Sequence, residues 1–282
     1  MTVNNFIPTI WSGQVFTDFQ KATILGGLCN RNYEGEITGQ GDAVKINMVG
    51  PVTVRAYTKN STSDLTVERL TDAQTTLVID QADYFNFSVD DIDAVQAKGN
   101  ILGGGMTNAA QAMAESADTF IANLYTQAGA STYQTITLAS TDYGILTMFG
   151  RADQLLNEMN CPQNGRKAYL SPYVKAQLVK QNVMLTNGLN ADLFVNGFIG
   201  RYMNFDIYMS NNLATGSTHT ASNPVHECLF GTPEAITFAD QIVKTEAYRP
   251  ENSFADAVKG LHVYGGKVVK PKGLVCIETR ST

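Results

Sequence analysis

Three consecutive glycines are the first residues in this sequence with a possible chemical role. Gly103, Gly104 and Gly105 precede a strongly helical pattern, as glycines do in loops that bind phosphate. Such a loop also needs a lysine followed by Ser or Thr where the helix begins, but Met106-Thr107-Asn108 follow here. The three glycines are therefore interpreted as a hinge ahead of a helix.

An acidic cluster is the second candidate, because carboxylates can hold a divalent cation. Asp90, Asp91 and Asp93 are followed by Ala94-Val95-Gln96, so the further oxygen ligands and the terminal Glu of a calcium loop are missing. Carboxylates in the first turn of a short helix are the better interpretation, since the helix dipole favours them there. The sequence predicts no metal and no other cofactor.

Thiols and imidazoles could form a nucleophilic or zinc site, but their spacing supports neither. The residues concerned are Cys29, Cys161, Cys228, Cys276, His219, His226 and His262. No CxxC pair and no GxSxG turn is present. We expect free, mostly buried thiols, and a hydrogen-bonded structural role for His262, which alternates with apolar neighbours. The sequence thus predicts no enzyme; a cytoplasmic enzyme whose site forms only in space stays open as the weakest alternative.

Charge and hydropathy exclude two further classes of protein. The net charge is −6, and no run of Lys or Arg exceeds two residues, so no basic surface for strong phosphate contact is expected. No apolar run approaches the roughly 20 residues of a membrane span, and no signal peptide opens the chain. We expect no membrane contact, and a product that stays in the cytoplasm where it is made.

The chain opens with an apolar arm. Phe6, Ile7 and Trp11 lie in an extended pattern, and a helix is predicted from Ser12 to about Leu25 with Val15, Phe19 and Ala22 on one face. Gly26 and Gly27 are predicted to end this helix. An arm of this composition has to be buried on its own body or on a neighbour.

A long hairpin follows the arm. Val44, Ile46 and Met48 alternate with polar residues, and the alternation continues through Val52, Val54 and Ala56 to a polar tip at 59–64. The chain is predicted to return through 75–80 and 84–89, with Phe85, Phe87 and Val89 on one face. An isolated hairpin of this length is marginal in water, so it needs a surface to lie against.

Helices and strands then follow in an α+β order. The strongest helix is predicted over 106–127, with an apolar stripe of Met106, Ala110, Met113, Ala117, Phe120 and Leu124. A second helix is predicted after Thr141, ending before Pro162, and a third after the N-cap Ser171. The second helix carries an apolar face of Ile145, Met148, Phe149, Ala152, Leu155 and Leu156. Strands are predicted at 167–170, 198–203, 205–209, 228–231, 235–238, 263–269 and 274–278.

Four motifs, in this order, resemble the major capsid proteins of tailed bacteriophages, the family with the Hong Kong 97 fold. They are GLCNRNYEG (27–35), RKAYLSPYVKAQL (166–178), IYMSNNL (207–213) and GLHVYGGKVV (260–269). The resemblance implies an N-terminal arm (1–33), an extended E-loop hairpin (34–84), a peripheral domain (85–142 and 251–282) with its spine helix at 106–127, and an axial domain (143–250).

The implied function is that of a viral structural protein. Copies would self-assemble as pentamers and hexamers into an icosahedral capsid, the head of a bacteriophage virion, around double-stranded DNA that they touch only weakly and non-specifically. Assembly in the host bacterial cytoplasm, a portal protein as partner, and separate scaffolding and decoration proteins are also implied. An encapsulin-like bacterial compartment with the same fold is the alternative within this architecture.

Residues for the assembly contacts follow from the arm and the hairpin. The predicted interface residues are Phe6, Ile7, Trp11, Phe16, Phe19, Val52, Val54, Tyr57 and Lys59, and the predicted hinges are Gly26, Gly27 and the glycines 103–105. Because the arm begins almost at Met1, a separate scaffolding protein or unaided assembly is favoured over a cleaved extension. Some relatives cross-link an E-loop lysine to an asparagine, but the polar neighbours of Lys59 build no pocket for that reaction, so a non-covalent shell is predicted.

Overall fold

The computed structural model describes residues 24–32, 43–50, 52–57, 59, 67–69, 72–90, 101–129, 134–137, 144–180, 198–216, 225–252 and 254–280. Within these residues no helix combines the length and apolarity that crossing a bilayer requires.

Four helices and eleven strands alternate along the described residues, as an α+β class predicts. The helices are α1 (Leu25–Leu28), α2 (Ile101–Asn123), α3 (Gly144–Glu158) and α4 (Pro172–Lys180). The strands are β1 (Ala43–Val49), β2 (Asp72–Val78), β3 (Gln81–Asp90), β4 (Gln134–Thr137), β5 (Arg166–Leu170), β6 (Phe198–Tyr202), β7 (Phe205–Met209), β8 (His226–Gly231), β9 (Ile236–Tyr248), β10 (Ala255–Val268) and β11 (Leu274–Arg280). Short 3₁₀ turns lie at Leu124–Gln127, Pro233–Ala235 and Pro271–Gly273.

These strands form three sheets. β1 and β2 make an antiparallel ribbon, β3-β10-β9 make an antiparallel sheet, and β4-β11-β8-β5-β7-β6 make a mixed sheet in which β4 runs parallel to β11 and β5 to β7. The predicted segments at 143–250 and 251–282 do not coincide with the sheets. β9, from the first segment, pairs with β10, whereas β11, from the second, pairs with β8.

The mixed sheet and helices α3 and α4 enclose the largest apolar core. The apolar face predicted for the second helix is buried in full, including Ile145, Met148 and Phe149. The Phe149 ring makes edge contacts with the rings of Tyr202 and Phe230 at 5.3 and 5.5 Å between centroids. The predicted cap at Ser171 is confirmed, because its Oγ accepts a hydrogen bond from the N–H of Val174.

A buried guanidinium fixes the end of α3 to the start of β5. Arg166 is fully buried, and its Nη1 lies 2.7 Å from the carboxylate of Asp153. It also donates to Asn157 Oδ1 and to the carbonyl oxygens of Cys161 and Pro162. A buried charge is tolerated only when its hydrogen-bonding groups are satisfied in this way.

Helix α2 begins five residues earlier than the sequence predicts. The glycines 103–105 lie inside the helix, so the predicted break ahead of it is wrong. The reason is the packing of α2 on the sheet: a Cβ at Gly105 would lie only 2.8 Å from the ring of Phe87 on β3. A glycine at this position lets the helix approach that ring.

The strands β9 and β10 are much longer than predicted. For β10 the reason is a related one, whereas β9 contains no glycine and is extended by its pairing with β10. The sequence argues against a long strand at Gly260 and Gly265, because glycine weakens a strand. In the structure a Cβ at Gly260 would lie 2.3 Å from the ring of Phe85, its cross-strand neighbour. A Cβ at Gly265 would lie 2.4 Å from the carbonyl oxygen of Val78. Both glycines are sites of close approach and do not end the strand.

Candidate assembly surfaces

The described residues bring together no metal or nucleophilic site. No group of three His, Cys, Asp or Glu residues that could hold a metal ion occurs among them. Asp90 ends β3 with an exposed side chain, while Asp91, Asp93 and His219 lie outside the described residues. His262 has the predicted hydrogen bond, since its Nε2 lies 3.3 Å from Asp240 Oδ2 on β9.

The four thiols are free, as predicted, and poor nucleophiles. Burial raises the pKa of Cys29 and of Cys228 to about 12, and burial raises the pKa of Cys276 further still. Desolvation raises the pKa of Cys161 as well, although the nearby Arg166 lowers it. Thiolate, the reactive form, is therefore scarce at neutral pH.

A three-residue hydrogen-bond network binds α2 to the three-stranded sheet. The hydroxyls of Ser116 on α2 and Tyr264 on β10 both donate to Asp83 Oδ2 on β3, at 2.6 and 2.7 Å. Burial raises the pKa of Tyr264 to about 12, with Asp83 acting in the same direction. The phenol therefore stays neutral, and its role in this network is structural.

Asp118 anchors the inner end of the N-terminal arm to α2. This buried carboxylate accepts hydrogen bonds from the N–H groups of Ile24 and Gly26, at 2.7 and 2.9 Å. Gly26 and Gly27 lie inside α1 and do not end a longer helix, contrary to the prediction. Asp118 fills the role of an N-terminal cap from a distant element, which periodicity along the sequence cannot reveal.

The next residues pair with the edge of β9. The N–H of Asn30 donates to the carbonyl of Ile236, and the N–H of Phe238 donates to the carbonyl of Asn30. Arg31 forms an ion pair with Asp240 and lies over the ring of Phe238, 5.7 Å from its centroid. Residues 24–31 are thus held on the body of the subunit by both ends.

The root of the hairpin packs on the same subunit. Val44, Ile46 and Leu77 of the β1-β2 ribbon are buried with Ala239 and Val263 of the three-stranded sheet. Lys267 Nζ also donates to the carbonyl of Thr76, at 2.9 Å. The surface that this ribbon requires is therefore supplied, at its root, by β9 and β10.

Among the described residues, none covers the outer half of the hairpin in this way. Val54 is 94% exposed, and Val52, Tyr57 and Val67 are 63%, 76% and 88% exposed. Glu68 joins the two sides by accepting hydrogen bonds from the N–H and the hydroxyl of Thr53. Lys59 is exposed as well. The predicted interface residues of the hairpin thus share one exposed surface, which we call the hairpin tip (the described residues of 50–69).

The outer face of the three-stranded sheet carries apolar side chains that the sequence analysis missed. Tyr84 on β3 is 78% exposed and faces Leu261 on β10, its cross-strand partner. Phe254, in the turn between β9 and β10, is 85% exposed. Signals for both exist in the sequence: Tyr84 lies on the face of β3 that also carries Asn86 and Ser88, and Phe254 follows a polar turn.

The arm residues Phe6, Ile7, Trp11, Phe16 and Phe19 lie outside the described residues, and their contacts stay a prediction. The hinge roles of Gly26, Gly27 and the glycines 103–105 stay predictions too. A Cβ at Gly27 would meet no atom of the described residues within 4 Å.

Comparisons with known proteins agree with this arrangement. Residues 71–277 match the model of a family described as "Phage capsid protein". A solved structure from Mycobacterium phage Che8 is 31% identical in sequence, with a TM-score of 0.77; the match covers 98% of both chains.

More distant structures share the fold. The capsid structure of cyanophage P-SCSP1u is 17% identical, with a TM-score of 0.76, over 100% of this chain and 95% of that one. The mature capsid of bacteriophage PhiM1 is 15% identical, with a TM-score of 0.69, over 97% and 92%. Among curated proteins there is no match.

Proposed function

Since the chain belongs to the phage capsid protein family, we propose that its hairpin tip and its N-terminal arm are the surfaces through which copies assemble. Its function is that of a major capsid protein of a tailed bacteriophage: it forms the icosahedral head and is a component of the virion. The fold is that of phage capsids, and the encapsulin-like alternative is not favoured.

The exposure of the hairpin tip is the observation that carries the proposal. Val54 and Val67 are almost fully exposed although the root of the same hairpin is buried. Each apolar side chain moved out of water is stabilised by about 25 cal/mol per Å² of apolar area. A neighbouring copy that covers the tip gains this stabilisation at every repeat of a closed shell.

The finer parts of the function rest on the family and on composition. We propose that pentamers and hexamers enclose a double-stranded DNA genome, that a portal protein joins one vertex, and that assembly takes place in the host cytoplasm. Separate scaffolding and decoration proteins complete the proposed partners. With a net charge of −6 the chain offers DNA only weak, non-specific contact. We further propose that the chain catalyses no reaction.

The assembly contact is tested by a charge placed on the tip. Val54→Asp removes no buried contact, so the free subunit is expected to keep its unfolding temperature, while particle formation is lost because each copy would bury an unpaired carboxylate. Val54→Leu, which keeps an apolar side chain, is the matched control and is expected to assemble. Light scattering and electron microscopy measure the outcome. Normal particles from Val54→Asp would show that this residue lies outside the contact.

We propose in addition that the shell is not covalently cross-linked. Lys59 is exposed, whereas an amine that attacks an asparagine amide has to be neutral and shielded from water. Particles boiled in SDS with reductant are expected to give one band at the chain mass of 30.6 kDa. A ladder that disappears in Lys59→Ala would contradict this.

A further inference from the structure

An apolar groove of about 370 Å³ runs beside the first half of α2. The wall on α2 consists of residues one helical turn apart: Met106, Ala110, Met113 and Ala117. Phe85 of β3 and Phe238 of β9 line the groove from the sheet. The sequence predicts these four α2 residues as one buried stripe, yet Ala110 is exposed and both methionines are only half-buried. Among the described residues, the stripe is covered only at its Ala117 end.

A buried polar atom lies in the lining of the same groove. His262 is 5% exposed, and its Nε2 lies next to Asp240. Its other ring nitrogen, Nδ1, is buried and has no hydrogen-bond partner among the described residues. A buried nitrogen of this kind is normally satisfied, so its partner is expected to come from residues outside the described ones.

The chain itself reaches one end of this groove. Gly26, Gly27 and Asp118 belong to the lining, and Asp118 holds the N–H groups of Ile24 and Gly26. The segment that precedes Ile24 therefore starts at the end of the groove that Asp118 lines. The equivalent segment of another copy could enter the groove only after this segment had turned away from it.

The length and pattern of that segment match the groove. From Asp118 to Met106, α2 extends about 18 Å, and residues 12–23 would extend about 17 Å as a helix. The sequence predicts such a helix, with Val15, Phe19 and Ala22 on one face. Polar side chains that flank this face, Asp18 and Thr23, lie about 60–80° around the helix from it, at the edge of the contact.

We propose that residues 12–23 form a helix that lies in this groove of their own subunit, antiparallel to the first half of α2. The arm is then divided into two parts. The helix fixes the arm to its own body, and only residues 1–11, with Phe6, Ile7 and Trp11, are left to reach a neighbour. This inference does not rest on shell formation, and an unassembled subunit is expected to show it as clearly as a particle.

Hydrogen exchange of the full chain tests whether the segment is bound. The amides of residues 15–22 are expected to be protected, and Met113→Glu is expected to lower their protection by about tenfold or more, because a carboxylate then lines the groove. Ala112→Glu is the matched control: Ala112 is exposed and does not line this groove, so protection is expected to persist. Unprotected amides in the wild-type chain would overturn the proposal.

A cross-link tests whether the segment belongs to the same copy, and it does so without a charge in the groove. Antiparallel packing places residue 15 beside residue 110, so Val15→Cys with Ala110→Cys is treated with a short bismaleimide, in a chain that also carries Cys29→Ser and Cys161→Ser. We expect a product at the mass of one chain, with both thiols consumed. A product at twice the mass of one chain would assign the groove to a neighbour's segment. The proposal would also be overturned if no cross-linked product formed, or if Val15→Cys reacted equally well with Ala112→Cys.

Discussion

The mixed six-stranded sheet and the hairpin tip differ in how far their apolar side chains are buried within one subunit. In the sheet, apolar side chains such as Phe149 and Phe230 are fully buried within one subunit, and even the charge of Arg166 finds all its partners there. In the tip, Val54 and Val67 are almost fully exposed, and Glu68 supplies the hydrogen bonds that join the two sides. The first region is buried within one chain, whereas we propose that the second is covered by another copy.

This contrast separates folding from assembly. Residues that contact their own subunit determine the free energy of unfolding, whereas the tip adds almost nothing to it. The boundary between the two lies along the hairpin itself, between the buried residues of β1 and β2 and the exposed residues beyond Gly50. Substitutions of the buried residues are expected to lower the free energy of unfolding. Substitutions beyond Gly50 are expected to prevent assembly and to leave that free energy nearly unchanged.

Removal of the tip is expected to have the largest effect on assembly and almost none on folding. Replacing residues 50–70 by a short Gly-Ser turn keeps the buried ribbon and the bond from Lys267 to Thr76. Circular dichroism is expected to show a cooperative thermal transition near that of the full chain, and electron microscopy no particles. Loss of the transition would show that the tip belongs to the core of the subunit.

Substitution of the buried guanidinium is expected to have the largest effect on folding. Arg166→Met removes the donor to Asp153, Asn157 and two carbonyl groups. The expected cost is about 3 kcal/mol, because several hydrogen bonds to a charged group, each worth about 1.5–3 kcal/mol, are lost while water can reach the 30% exposed Asp153. Urea unfolding of the free subunit measures it. Arg201→Met removes an exposed pair with Asp206 and is expected to cost at most about 1 kcal/mol. Equal losses in the two variants would contradict the account of Arg166.

A methyl group at Gly260 is expected to cost about 1–3 kcal/mol, because its Cβ would meet the ring of Phe85 at 2.3 Å and the ring would have to move. Gly150→Ala on α3 is the control, since its Cβ would meet nothing within 4 Å among the described residues. It is expected to leave the midpoint of urea unfolding unchanged or slightly raised. If Gly27→Ala folds normally but fails to assemble, the predicted hinge at Gly27 gains support.

The smallest effect expected is that of Tyr264→Phe, which removes one of two hydroxyls from Asp83 and costs about 1–2 kcal/mol at pH 8. Burial raises the pKa of Tyr264 to about 12, from about 10 when unfolded. The stability that the neutral phenol contributes is therefore present below pH 10 and is lost as the pH rises towards 12. The difference in unfolding free energy between wild type and Tyr264→Phe is expected to shrink over that interval; a constant difference would contradict it.

Local pattern was sufficient for much of the fold. The apolar period of 144–158 predicted α3 with its buried face, and the alternation at 43–48 predicted β1. The order of four motifs was enough to identify the family. In each case the signal lies within one element, because period and capping depend on residues that are close in the chain.

Elements whose form depends on distant partners were predicted less well. Glycine alone indicates a break, so the start of α2 at Ile101 and the length of β10 were missed. The length of β9 was missed as well, because it depends on pairing with β10. The assembly surface was also predicted only in part. The sequence indicated the apolar residues of the hairpin, but it did not show which of them are buried. The root is buried and the tip is exposed because of where β9 and β10 lie.

By itself, then, the sequence determined the α+β class, the family, and the absence of any recognisable catalytic motif. The tertiary structure decided which glycines allow close approach, that Asp118 binds the inner end of the arm, and which apolar residues of the hairpin are exposed. The physical reason is that period and composition are local properties. Burial and hydrogen-bond partners, by contrast, join residues far apart in the chain, such as Asp118 and Ile24, and are fixed only when the elements pack.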